Sequence, residues 1–223
     1  MSHCLSCQQA GGCTLSSSQA VDHYEAHITI EEAPVKEFRE VCKANALKPI
    51  LLDLHLSAGG IMKDMMTSSK FSGSYEAARL YIVEKADALT AAGYNVVRLK
   101  LETTPWNPLT PSRTAGVPAG EGYFESHLPV ITGADRLPEL RAIAIEQGMH
   151  LSRNAFARHS DDRQTVMMTK RSYTDVQEDF ELAVYDAEAA LQAAGFEVEK
   201  VIIEYAIYDT KVDHDRAWTE AAV

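Results

Sequence analysis

The chain contains the same passage twice. Tyr24-Glu25-Ala26-His27 returns as Phe124-Glu125-Ser126-His127, and Met65-Met66-Thr67 returns as Met167-Met168-Thr169. The stretch Ala88-Leu89-Thr90-Ala91-Ala92-Gly93-Tyr94-Asn95-Val96 returns as Ala190-Leu191-Gln192-Ala193-Ala194-Gly195-Phe196-Glu197-Val198. The first motif recurs at an offset of 100 and the later ones at 102. A duplicated unit of this length predicts two folding modules of one architecture, and a repeated Glu-x-His suggests a site between them.

The 223 residues divide into two modules long enough to bury a core each, with 46% hydrophobic residues. A net charge of −11 argues against holding duplex DNA or an anionic membrane by bulk electrostatics. No apolar run approaches the ~20 residues of a membrane helix. The N-terminus has no charged and then apolar leader, and three of the four cysteines (Cys4, Cys7 and Cys13) crowd into its first residues. The expectation is a cytoplasmic protein with no disulfide framework. Exposed sheet edges leave room for a homodimer.

Five segments follow: a polar tail over 1–20, a first repeat over 21–104, a linker over 105–121, a second repeat over 122–208 and a C-terminal tail over 209–223. Pro105, Pro108, Pro111 and Pro118 punctuate the linker. In the first repeat, residues 24–30 alternate as a half-buried strand, with Glu25, His27 and Thr29 on one face. Pro34 opens a helix carrying Val35, Phe38, Val41 and Cys42 at helical spacing. Strands over 49–56 and 61–69 flank Gly59-Gly60, a long helix runs over 75–92 to Gly93, and a strand over 94–103 closes the unit.

The second repeat follows with strands over 123–131, 149–158, 164–171 and 196–205 and helices over 137–147 and 176–194. This order predicts an α+β protein of two tandem ferredoxin-like (βαββαβ) repeats with a polar inter-module cleft. The open sheet faces carry Arg98, Lys100 and Glu102 in one copy and Lys200 and Glu204 in the other. Turned toward each other, they would enclose His27 and His127. Side-by-side packing into one continuous sheet is the alternative.

Two histidines from two modules suit paired acid and base chemistry, because imidazole titrates near neutrality. Ala26-His27-Ile28-Thr29-Ile30 resembles the His-x-Thr/Ser motif of the 2H phosphoesterase superfamily, whose duplicated α/β architecture sets two such motifs across a cleft. The resemblance implies catalysis by His27, His127 and Thr29 on a small phosphodiester or cyclic phosphate, with no cofactor required. The second motif departs from the pattern, with Pro129 where the hydroxyl belongs.

Glu25, His27, Glu125 and His127 are alternatively a shell for a divalent transition metal such as Zn²⁺, Fe²⁺, Mn²⁺ or Ni²⁺. The vicinal-oxygen-chelate enzymes offer an architectural parallel. A third reading is a ligand-binding or assembly module without turnover, in which the repeated glutamates only form cross-strand ion pairs.

Residues 150–159 replace the clean alternation of the sister strand, and a site overrides patterning in such places. Arg153, Arg158, Lys170 and Arg171 are candidates there for a small phosphorylated ligand, a solvated edge strand being the equal alternative. His3, Cys4, Cys7 and Cys13 offer soft metal ligands in the tail, reactive thiols on a flexible segment being the plainer reading. Cys42 lies on an apolar helix face and reads as core.

Overall fold

The computed structural model describes residues 22–56, 59–156 and 163–219. The first repeat comprises β1 (Asp22–Ile30), α1 (Val35–Ala44), β2 (Lys48–His55), β3 (Ile61–Gly73), α2 (Tyr75–Ala91) and β4 (Val96–Thr103). The second comprises β5 (Tyr123–Gly133), a 3-10 turn, α3 (Leu137–Glu146), β6 (His150–Asn154), β7 (Arg163–Ser172), α4 (Gln177–Ala193), β8 (Glu197–Val198) and β9 (Ile202–Asp209), followed by α5 (Arg216–Thr219). Both are βαββαβ units, so the chain is a tandem ferredoxin-like α+β protein. The last strand of the second copy is broken in two, and β6 is shorter than the segment expected over 149–158.

Local chemistry accounts for the elements. Pro34 stands before α1, and the Ser74 hydroxyl caps α2 by accepting from the Ala77 N–H at 3.2 Å. After α2 and α4 the chain reverses through Gly93 and Gly195, both at positive φ. Ala46 takes the same left-handed conformation after α1 (φ 55), where the second repeat has Gly148.

The helices of each repeat cover one sheet face. Ile28, Phe38, Ile82, Leu89 and Leu101 fill the first core, and Leu128, Leu140, Phe180, Val184 and Leu191 fill the second. Each such side chain contributes about 1.5–3 kcal/mol by leaving water. Cys42 belongs to the first core, where burial pushes its thiol up to about 11.

The two sheets join at both edges. β2 pairs with β6, β4 pairs with β9, and the order β7-β6-β2-β3-β1-β4-β9-β5 closes through β5–β7, leaving β8 as an appendage on β5. The eight strands are a closed antiparallel barrel with the four long helices outside. Closure removes the exposed edges that would otherwise invite pairing with another chain. The faces expected to oppose each other do so, and the sheet is also continuous: the cleft is the barrel interior.

The register corrects one reading of the repeat. Ile28 lies opposite Thr67, whereas Leu128 lies opposite Met168, so β3 and β7 correspond at an offset of 101 rather than 102. The matching Met-Met-Thr letters are therefore one residue out of structural register. Side chains alternate along a strand, so the shift decides which methionine faces inward. Met65 and Met168 are core, while Met66 and Met167 line the interior.

Candidate functional site in the barrel interior

Inward-facing residues of the barrel enclose a cavity of about 760 Å³. Eight-stranded barrels have room for packed side chains or one small ligand, and this volume is in the range of small-molecule sites. The wall is partly apolar, with Ile50, Leu52, Leu54, Met66, Met167 and Ile202, and partly ionisable.

His27 projects inward from β1. Its Nδ1 is 3.2 Å from the Thr67 carbonyl oxygen, which can only accept, so Nδ1 is the donor in that bond. Its Nε2 is 2.8 Å from Glu102 Oε2, and one proton lies between them. Burial alone would raise the Glu102 carboxyl; Lys100 and then His27 outweigh it and hold the group well below the usual carboxylate range. Glu25, the other carboxylate of the first motif, is 3.8 Å from His27 Nε2 and accepts a hydrogen bond from the Ser68 hydroxyl.

From Glu102 a line of alternating charges descends through the barrel. Lys100 Nζ lies 2.7 Å from Glu102 Oε1 and 2.9 Å from Glu125 Oε2. Only the contact with Glu125 has hydrogen-bond geometry; the one with Glu102 Oε1 is a charge contact. Arg171 donates to Glu125 Oε1 at 2.9 Å and to both Asp215 oxygens at 2.9 and 3.0 Å. Arg98 donates to Asp215 at 3.2 Å and makes a bidentate pair with Asp209 at 2.9 and 2.6 Å. The Tyr123 hydroxyl donates to Asp209 at 2.8 Å and accepts from Arg98 at 3.1 Å.

Burial opposes ionisation of Glu125, but Arg171 and Lys100 overcome it and bring the carboxyl to about 2. The C-terminal segment closes this end: Asp215 is the shared acceptor, the Trp218 indole donates to the Leu151 carbonyl at 2.9 Å, and the His150 ring packs against Trp218 at a tilt.

The second histidine is in a different state. His127 Nδ1 is 3.0 Å from the Thr169 hydroxyl, and its Nε2 is 3.8 Å from Glu204 Oε2. Burial pushes the His127 imidazole below its ordinary value, more than Glu125 and Glu102 pull it back. Burial, then Glu102 and Glu25, push the Glu204 carboxyl up to about 8. At neutral pH the pair is thus a neutral imidazole beside a neutral carboxylic acid, a contact rather than an ion pair. Both keep 23% of their side-chain surface open, and that opening is to the cavity.

Of the residues singled out in the sequence, His27 and His127 do line one cavity, with Glu25 and Glu125. Thr29 is buried between Met66 and Arg98 in the sheet register and is not part of the cavity wall. The four-residue metal shell does not assemble, because Glu125 is occupied by Lys100 and Arg171. Instead Glu102, His127 and Glu204 bring ligand atoms within 4.8 Å of one another, and this trio could hold a cation.

The basic group does not gather into an anion site. Arg153 pairs with Asp53 at 2.7 Å across the β2–β6 seam, Lys170 donates to the Gln147 carbonyl at 2.7 Å, and Arg171 is locked inside the barrel. Arg158 and the tail residues His3, Cys4, Cys7 and Cys13 lie outside the described residues. Glu102 and Glu204 were legible only as charges on an open face, and their convergence on His127 depends on closure. Asp209 and Asp215 sit in or beside a tail that carries no repeat signal.

No family model matches the chain, and no curated protein matches it. A candidate glycine cleavage system transcriptional repressor is similar at 10% identity over 82% of this chain and 98% of its own, with a TM-score of 0.30. A siroheme decarboxylase in complex with an iron-uroporphyrin III analogue is similar at 12% identity over 83% of this chain and 72% of its own, with a TM-score of 0.29. Likeness at that level carries no functional argument. Among the described residues no helix is long and apolar enough to cross a membrane.

Proposed function

We propose that the barrel interior is an acid–base catalytic site for a small anionic substrate, with His127 as the base and Glu204 as the acid. One observation carries this reading: the His127 imidazole and the Glu204 carboxyl face each other at 3.8 Å in a cavity that also holds the His27–Glu102 pair. Groups whose environments displace them from their ordinary values in opposite directions are the usual basis of acid–base assignment. His27, tied to a carbonyl and to Glu102, orients substrate or relays a proton.

The reaction class to assay first is hydrolysis of a small phosphodiester or cyclic phosphate. There the base takes a proton from water as its oxygen attacks phosphorus, and the acid returns one to the departing oxygen. Thr29 has no contact with the cavity and is given no part. The test is turnover of 2′,3′-cyclic nucleotides by wild type, His127→Gln and Glu204→Gln. Either variant is expected to lose about a hundredfold or more in kcat while remaining folded. Hydrolysis that survives both substitutions, or a wild type inert toward these esters, overturns the assignment.

A metal-dependent variant of the site is favoured by the convergence of Glu102, His127 and Glu204. Near-stoichiometric metal in protein purified without chelator, and lost in His127→Gln, would replace the metal-free reading.

A further inference from the structure

The two ends of the barrel are built alike and finished differently. At the closed end, Arg98, Arg171 and His150 surround Asp209, Asp215 and Trp218. The internal twofold of the duplication sends each of the three basic residues to a lysine at the other end. Arg171 is opposite Glu125 on β5, as Lys70 is opposite Glu25 on β1. Arg98 precedes Glu102 by the same step as Lys200 precedes Glu204, and these two glutamates face Glu25 and Glu125. His150 is opposite Thr169, as Lys48 is opposite Ser68.

Lys48, Lys70 and Lys200 all line the cavity, all are exposed, and none has an ion-pair partner among the described residues. Among the described residues no carboxylate closes this end. The segment after β4 leaves it and docks outside on α4, where Glu178 accepts from the Ser112 hydroxyl and the Arg113 and Thr114 N–H groups. The open mouth is thus the symmetry mate of a site that the protein fills at its other end with two aspartate carboxylates. Deeper in, the Glu25 and Glu102 carboxylates oppose further free carboxylates, so those of a ligand belong at the lysines.

We propose that Lys48, Lys70 and Lys200 form a carboxylate-binding collar at the cavity mouth, and that the ligand is a small molecule carrying at least two carboxylates, held as Arg98 and Arg171 hold Asp209 and Asp215. The collar needs only that the cavity takes a ligand, not that His127 and Glu204 turn it over, so the two assignments stand or fall separately.

The test is calorimetric titration of the full-length protein with succinate, citrate and inorganic phosphate, repeated on Lys70→Met/Lys200→Met, with turnover of 2′,3′-cyclic nucleotides by the wild type measured in parallel. Succinate or citrate is expected to bind at least about tenfold more tightly than phosphate and to weaken at least about tenfold in the double lysine variant, whether or not the wild type turns over the cyclic nucleotides. The lysines are exposed, so the double variant should keep the wild-type melting temperature. The collar is overturned if neither carboxylate binds, if phosphate binds as tightly, or if the double variant binds as wild type does.

Discussion

Substituting Arg171 by Met tests the closed end of the barrel against its symmetry mate. The Arg171 side chain is 3% exposed and holds two carboxylates, Glu125 at 2.9 Å and Asp215 at 2.9 Å. Methionine keeps the apolar stem and removes the charge. Glu125 then retains Lys100 and Asp215 retains Arg98, but each buried carboxylate loses a close donor. Removing one partner of a buried pair costs about 3–5 kcal/mol. For a chain of this size each kcal/mol shifts the midpoint by roughly 2–4 °C, so the melting temperature should fall by about 6–20 °C.

Lys70→Met makes the equivalent change at the exposed mate and should shift stability by no more than about 0.5 kcal/mol. The acid limb adds a second readout. Glu125 is held at about 2 against an ordinary 4.5, so its contribution is complete above pH 4.5 and is lost as pH falls toward 2. Without Arg171, the strongest of its favourable partners, Glu125 should take up its proton at higher pH, and acid unfolding should begin earlier. Thermal and urea unfolding followed by circular dichroism measure both effects. Equal losses from Arg171→Met and Lys70→Met, or a loss under about 1 kcal/mol from Arg171→Met, would refute the distinction between a closed and an open end.

Two further outcomes follow from single residues. Glu204 is raised from 4.5 to about 8, so wild-type stability should decline as pH rises through that interval, while Glu204→Gln, which cannot ionise, should flatten the decline and be the more stable protein at pH 9 by at least ~1 kcal/mol in urea titrations. Ala46 adopts φ 55 where its counterpart is Gly148, and Ala46→Gly should stabilise the fold by about 0.5–1 kcal/mol, a gain that differential scanning calorimetry would register and whose absence would mean the left-handed turn is unstrained.

The repeat, the alternation of residues 24–30 and the helical spacing of Phe38 and Cys42 are local signals, and they sufficed for the βαββαβ order of both copies. They also put Lys100, Glu102 and Glu204 on the open faces. The Met-Met-Thr match misled because letters align without regard to the pleat, and one residue of slip in β3 against β7 exchanges inside for outside. The short β6 and the pairing of Arg153 with Asp53 had only a weak trace in the charged, irregular stretch after His150.

By itself, then, the sequence determined the two modules, their helix-covered cores and the histidines on their uncovered faces, because periodicity and burial of apolar side chains are decided within tens of residues. Only the tertiary structure decided that both sheet edges pair and close a barrel, that Glu102 and Glu204 from separate repeats converge near His127, and that the C-terminal aspartates seal one end. Those outcomes rest on contacts between residues about 100 positions apart, such as Arg98 with Asp209 and Asp53 with Arg153, and on burial that shifts Glu204 far from its ordinary value. Desolvation and charge proximity act through space, and no local pattern records them.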